Sequence, residues 1–96
     1  MIRVSMMYPV SDEATFDLDY YKTTHMGDIV KRTPGVVRYE IDEAIDGPYF
    51  MVGQIYFESA EALDAAMNAP TAGEALADIP NFTNIQPVMQ VSRILE

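Results

Sequence analysis

Three features of the sequence predict an α+β domain with the order strand, helix, strand, strand, helix, strand. Residues 2–8 place apolar side chains at every second position, residues 16–35 read as a punctuated helix, and residues 49–57 are apolar on both parities. The last pattern belongs to a strand central in its sheet and covered on both faces. Together they match the split β-α-β arrangement of ferredoxin-like folds, a four-stranded antiparallel sheet with helices on one face.

The first strand is set by Ile2, Val4, Met6 and Tyr8 alternating with Arg3, Ser5 and Met7, and Pro9 removes a donor where it should stop. Asp17 is placed to cap the following helix, with Thr15 as the rival cap, and Phe16 reaches Tyr21 as a hydrophobic staple. Lys31 and Arg32 oppose the negative pole of the helix dipole, and Pro34-Gly35 ends the helix near Thr33. Val37, Tyr39 and Ile41 then alternate with Arg38, Glu40 and Asp42, a strand with one solvated face or a solvated edge. Residues 45–48 turn the chain into the third strand, in which Gly53 relieves crowding, marks a bulge or leaves space. Ser59 caps a second helix over residues 60–68 that Pro70 ends, and Thr71 and Glu74 have capping-box spacing for a short third helix through Ile79. Pro80 halts it, and the run 85–95 alternates as the last strand.

A chain of 96 residues is one domain with little stability to spare, so a partner subunit would help it. Apolar side chains on both faces of the third strand need cover on the face that the helices leave open, and pairing two sheets face to face in a homodimer supplies it. The longest apolar runs are far too short to span a bilayer, and the N-terminus lacks the apolar core of a signal peptide, so no membrane partner and a cytoplasmic location are expected. With no cysteine there is no disulfide, thiol nucleophile or cysteine-bound metal. A net charge of −9 repels phosphate backbones, which argues against nucleic acid as a partner.

The chemistry-bearing residue is the single histidine. On a helix Tyr21 and His25, four apart, share a face with Leu18 and Ile29, which aims a titratable ring at the core. Imidazole serves as both base and acid near neutrality without a cofactor, and the plainer alternative is a hydrogen-bonded core histidine. Tyr21 either orients it, bonds a substrate oxygen or packs. One histidine makes a structural zinc site improbable, and glycine-rich phosphate loops and serine nucleophile elbows are absent, so neither metal nor nucleotide cofactor is expected. Tyr8 at the end of the first strand, Arg38 on the second and Asp78 in the third helix each line a pocket mouth or a surface. Met6, Met51 and Phe82, with further methionines and aromatics, suit either an adaptable apolar ligand pocket or plain core filling.

The segments M-I-R-V-S-M-M-Y-P, F-D-L-D-Y-Y-K-T-T-H-M, P-G-V-V-R-Y-E and A-D-I-P-N-F-T-N, in this order, resemble the EthD family. That family is named for a protein of ethyl tert-butyl ether degradation and belongs to the dimeric α+β barrel superfamily. The resemblance implies a homodimer with a pocket between sheet and helices of each protomer, a small apolar or aromatic ligand, and no cofactor. It carries the tyrosine-x-x-x-histidine pair onto Tyr21 and His25, and Asp78 as the carboxylate partner of His25. Many members place a proline two residues after the histidine; Met26-Gly27 stands here, so the local helix geometry is expected to differ. The expected activity is acid/base isomerisation, cyclisation or elimination of an oxygenated intermediate. A non-catalytic accessory protein for an oxidative enzyme, a purely structural dimer without a pocket, and, by superfamily analogy, a cofactor-independent monooxygenase are the alternatives.

Overall fold

The structure, a computed structural model, describes residues 1–96. Strands β1 (Ile2–Pro9), β2 (Val36–Glu43), β3 (Tyr49–Phe57) and β4 (Val88–Arg93) form one sheet in the order β2-β3-β1-β4. Every neighbouring pair is antiparallel, so the fold is α+β and ferredoxin-like, with β2 and β4 at the edges. The last strand is shorter than its alternation predicts: Ile85 lies ahead of it and is buried in the core.

Because side chains alternate across a strand, the register assigns the two faces. Ile2, Val4, Met6 and Tyr8 stand opposite Phe57, Ile55, Gly53 and Met51, and this face meets the helices. Two apolar clusters form there, one around Tyr8, Tyr21, Met26 and Phe82, the other around Ile2, Val4, Phe57 and Ala66. The opposite face is mixed: Met7, Val52 and Val88 lie on it beside a polar network. Ser5 donates to Gln54, Gln54 to Asp42, and Tyr56 and Arg38 both donate to Glu40. The Arg38 guanidinium lies 3.9 Å from the centroid of the Tyr56 ring and Arg3 covers it as well, so within the protomer Tyr56 is buried under cationic side chains.

The first helix begins as the sequence dictates. Asp17 accepts the Tyr20 amide at 3.1 Å, and the Phe16 and Tyr21 rings meet edge to face at 4.9 Å. After one α-turn, α1 (Leu18–Tyr20), the winding widens into a π-helix (Tyr21–Val30) instead of the predicted α-helix. The Lys31 amide still reaches back five residues, to the Met26 carbonyl at 3.2 Å. Two glycines permit this. A β-carbon at Gly27 would stand 2.5 Å from the Lys22 carbonyl oxygen, and one at Gly53 would stand 2.5 Å from the Tyr21 hydroxyl. Gly53 therefore relieves crowding, leaving room for the Tyr21 hydroxyl against β3.

Helix α2 (Ala60–Met67) is capped by Ser59, which accepts the Ala62 amide at 3.1 Å. Helix α3 (Pro70–Asp78), with Ala69 at its N-cap, starts two residues earlier than its capping-box spacing suggests. Pro70 occupies its first turn, where a missing amide costs nothing, and the Thr71 hydroxyl has no partner. Glu74 turns away from Thr71 to pair with Arg32, which also holds Asp28 at 3.3 Å. A 3₁₀ turn (Ile79–Asn81) containing Pro80 follows directly.

Gly27→Ala reverses the usual helix rule. In an ordinary helix alanine gains about 1 kcal/mol over glycine, whereas here the clash with backbone is expected to cost about 1–3 kcal/mol. Urea unfolding of the variant measures the sign.

Candidate active site

His25 projects from the π-helix and Asp78 ends α3, and what brings them together is a loop clamp. The Thr83 hydroxyl donates to the Thr15 carbonyl at 2.7 Å, Asn84 accepts the Thr15 amide at 2.9 Å, and its amide group donates to the Glu13 carbonyl at 3.0 Å. The Asp17 amide completes the clamp by donating to the Phe82 carbonyl at 2.7 Å. The loop after α3 is thus fastened to the start of the first helix, and Phe82 seats its ring 4.7 Å from the imidazole.

At the centre, His25 Nδ1 lies 3.0 Å from Asp78 Oδ2, with both side chains 7% exposed. The other carboxylate oxygen accepts the Tyr20 hydroxyl at 2.6 Å and the Asn81 side-chain amide at 2.9 Å. Burial by itself would raise the Asp78 carboxyl, but the hydrogen bonds from Tyr20, Asn81 and His25 outweigh it and hold the group below the ordinary carboxylate value. Burial lowers the His25 pKa beneath its ordinary value, and the bond to Asp78 only partly offsets this. The pair is therefore a neutral imidazole and a carboxylate near neutrality. A carboxylate accepts only, so Nδ1 carries the proton and Nε2 keeps the basic lone pair.

His25 also lines a cavity of about 90 Å³ between the sheet, the π-helix, α2 and α3. Of its sixteen lining residues fourteen are hydrophobic, so His25 and Thr33 supply its only side-chain polar atoms. Met6 and Met89 form its sheet side, while Met67 and Leu76, both about half exposed, stand on its helical side. Tyr8, Met51 and Phe82 are not in this wall; they pack in the aromatic core behind it. Tyr21 is wholly buried, parallel to the imidazole at 5.8 Å between ring centroids, and its hydroxyl bonds nothing. Burial pushes its phenol far up, and it meets His25 through ring stacking. Arg38 lies on the far face of the sheet, with Glu40 and Tyr56.

Tyr20 and Asn81 are site residues that spacing does not reveal. Tyr20 lies 58 residues from Asp78 in sequence, and Asn81 three residues after it reads as ordinary loop composition. Only the quoted segment around residues 77–84 held a signal, as part of a resemblance.

No family model matches the chain. It is similar to an EthD-like protein of Ralstonia eutropha JMP134, with 33% identity and a TM-score of 0.86 over 99% of this chain and 92% of that one. An EthD family protein of Bacillus halodurans C-125 has the same fold at 14% identity, with a TM-score of 0.79 over 99% of both chains. An uncharacterized 11.0 kDa protein from the thcB-thcC intergenic region of Rhodococcus erythropolis is 31% identical over 90 residues, 88% of this chain and 85% of its own length.

Two of the shifted groups, His25 and Asp78, make stability acid-sensitive in two steps. Below about pH 6.5 the unfolded chain takes up a proton at His25 that the folded chain resists, so stability falls as pH drops from there toward the lowered folded value. The Asp78 contribution is present above about pH 4 and is lost as pH falls through its depressed folded value. His25→Gln is expected to remove the first step and keep the second, as read from melting temperatures across this range.

Proposed function

The chain belongs to the EthD family, and from that premise we propose that it is a small, cofactor-independent enzyme that moves a proton on an apolar, oxygenated intermediate. The observation that supports this is the Asp78-oriented imidazole, 3.0 Å from its carboxylate, set in an otherwise apolar cavity wall. Nε2 takes a proton from an acidic C–H or O–H of the substrate. The imidazolium that forms is stabilised by Asp78, whose charge Tyr20 and Asn81 hold in place. Return of the proton to another atom of the same molecule completes an isomerisation; return to a leaving group completes an elimination, and carbon–carbon closure before return gives a cyclisation. Tyr21 keeps the ring flat against the core, and the apolar wall excludes water that would level the base.

The working unit we propose is a homodimer joined through the far faces of two sheets. Val88, Met7 and Val52 lie side by side across β4, β1 and β3 on that face, an apolar row beside the Glu40–Tyr56–Arg38 cluster. Sedimentation at micromolar concentration is expected to give twice the protomer mass of 10.8 kDa; a single-protomer mass refutes the pairing.

Proton abstraction is tested with phenylacetaldehyde, a single-ring reporter whose acidic α C–H exchanges for deuterium when a general base removes the proton. His25→Ala is expected to slow this exchange by about 10²–10⁴-fold, the range of general acid–base assistance. Unchanged exchange in that variant overturns the catalytic reading.

A further inference from the structure

We propose that the cavity selects an uncharged, single-ring molecule that donates one hydrogen bond, a phenol or an enol, and rejects a carboxylate of the same shape. The inference rests on the cavity being the ligand site of the function proposed above, but not on proton transfer taking place there.

Size is the first constraint. The cavity measures about 90 Å³, and a dry protein cavity of about 150 Å³ admits benzene. The cavity is thus smaller than a benzene site as it stands; Met6, Met67 and Met89 in its wall are unbranched and yield, so a single ring enters only as they give way and a larger fused system is disfavoured.

Hydrogen bonding is the second. The Thr33 hydroxyl already donates to the Ile29 carbonyl at 2.9 Å, and His25 Nδ1 is engaged by Asp78. What remains at the imidazole is the Nε2 lone pair, an acceptor, so the ligand must bring the proton.

Charge is the third. No lysine or arginine lies in the wall, and the Asp78 carboxylate stands directly behind the imidazole with its charge fixed by Tyr20 and Asn81. An anion at Nε2 would face that carboxylate across a single ring, away from water and without a counter-ion. The net charge of −9 opposes its approach as well.

Three ligands of one shape test this at about pH 7.5, where a phenol is neutral and a benzoic acid is ionised: para-cresol, toluene and para-toluate. Binding is followed by nuclear magnetic resonance, in which the single histidine has unique ring signals. Para-cresol is expected to bind roughly five- to tenfold more tightly than toluene, the net worth of one hydrogen bond, and at least about tenfold more tightly than para-toluate. In Asp78→Asn the new amide donates to Nδ1, which moves the imidazole proton to Nε2 and turns the preference toward para-toluate. Para-toluate binding as tightly as para-cresol to the unsubstituted protein overturns the proposal, as does binding of none of the three or a ranking that Asp78→Asn leaves unchanged. If Asp78→Asn does not fold, the ranking on the unsubstituted protein decides alone. A ranking as expected with unimpaired reporter exchange in His25→Ala would leave the ligand class standing and the catalytic reading fallen; the reverse pair of results would do the opposite.

Discussion

The buried carboxylate of Asp78 is the constraint on which the helical layer depends. A charge that is almost fully removed from water must find donors, and this one has three: the Tyr20 hydroxyl, the Asn81 amide and His25 Nδ1. Those donors come from both ends of the chain's order, so satisfying the carboxylate docks the end of α3 onto the first helix. The clamp through Thr83 and Asn84 secures the same approach from the loop. One set of hydrogen bonds therefore closes the helical layer and holds the imidazole, because orienting the carboxylate also orients the ring and selects its tautomer.

The wide winding of the first helix serves the same end. A π-helix is poorer in backbone geometry than an α-helix and persists where surrounding packing over-determines it. Here Phe16, Tyr8 and Phe82 meet Tyr21 at ring distances of 4.9, 5.8 and 5.0 Å, and the missing side chain of Gly53 lets that ring settle onto the sheet. Gly27 removes the one β-carbon that would strike the Lys22 carbonyl. Two glycines in different elements, neither in a turn, thus share one task. The parallel stacking of Tyr21 on His25 is the result, and the phenol's unbonded hydroxyl is its cost.

The sheet divides its labour by face. Toward the helices it offers aliphatic and sulfur-containing side chains that build the cavity wall, while on the other side Arg3 and Arg38 cover Tyr56 and a chain of hydrogen bonds runs from Ser5 to Asp42. A strand that is apolar on both parities need not have an apolar partner layer on both faces. Arg38 buries the aromatic ring under its guanidinium and remains half exposed, whereas the Nε of Arg3 is itself buried without a partner.

Sequence alone determined the order of elements, the Asp17 cap with its Phe16–Tyr21 staple, the Ser59 cap and the central place of the third strand. Each of these is written in local periodicity or in a residue's own backbone chemistry. It also singled out His25, because one imidazole in a chain without cysteine is conspicuous by composition. Asp78 was reachable only through resemblance to a family, since no spacing connects residues 53 positions apart. The π-winding, the start of α3 at Pro70, the roles of Tyr20 and Asn81, and the place of Tyr8, Met51 and Phe82 behind the cavity were decided by tertiary structure. Each depends on which surfaces meet once the loop after α3 is clamped to the first helix, and contacts between distant segments leave no periodic mark on either one.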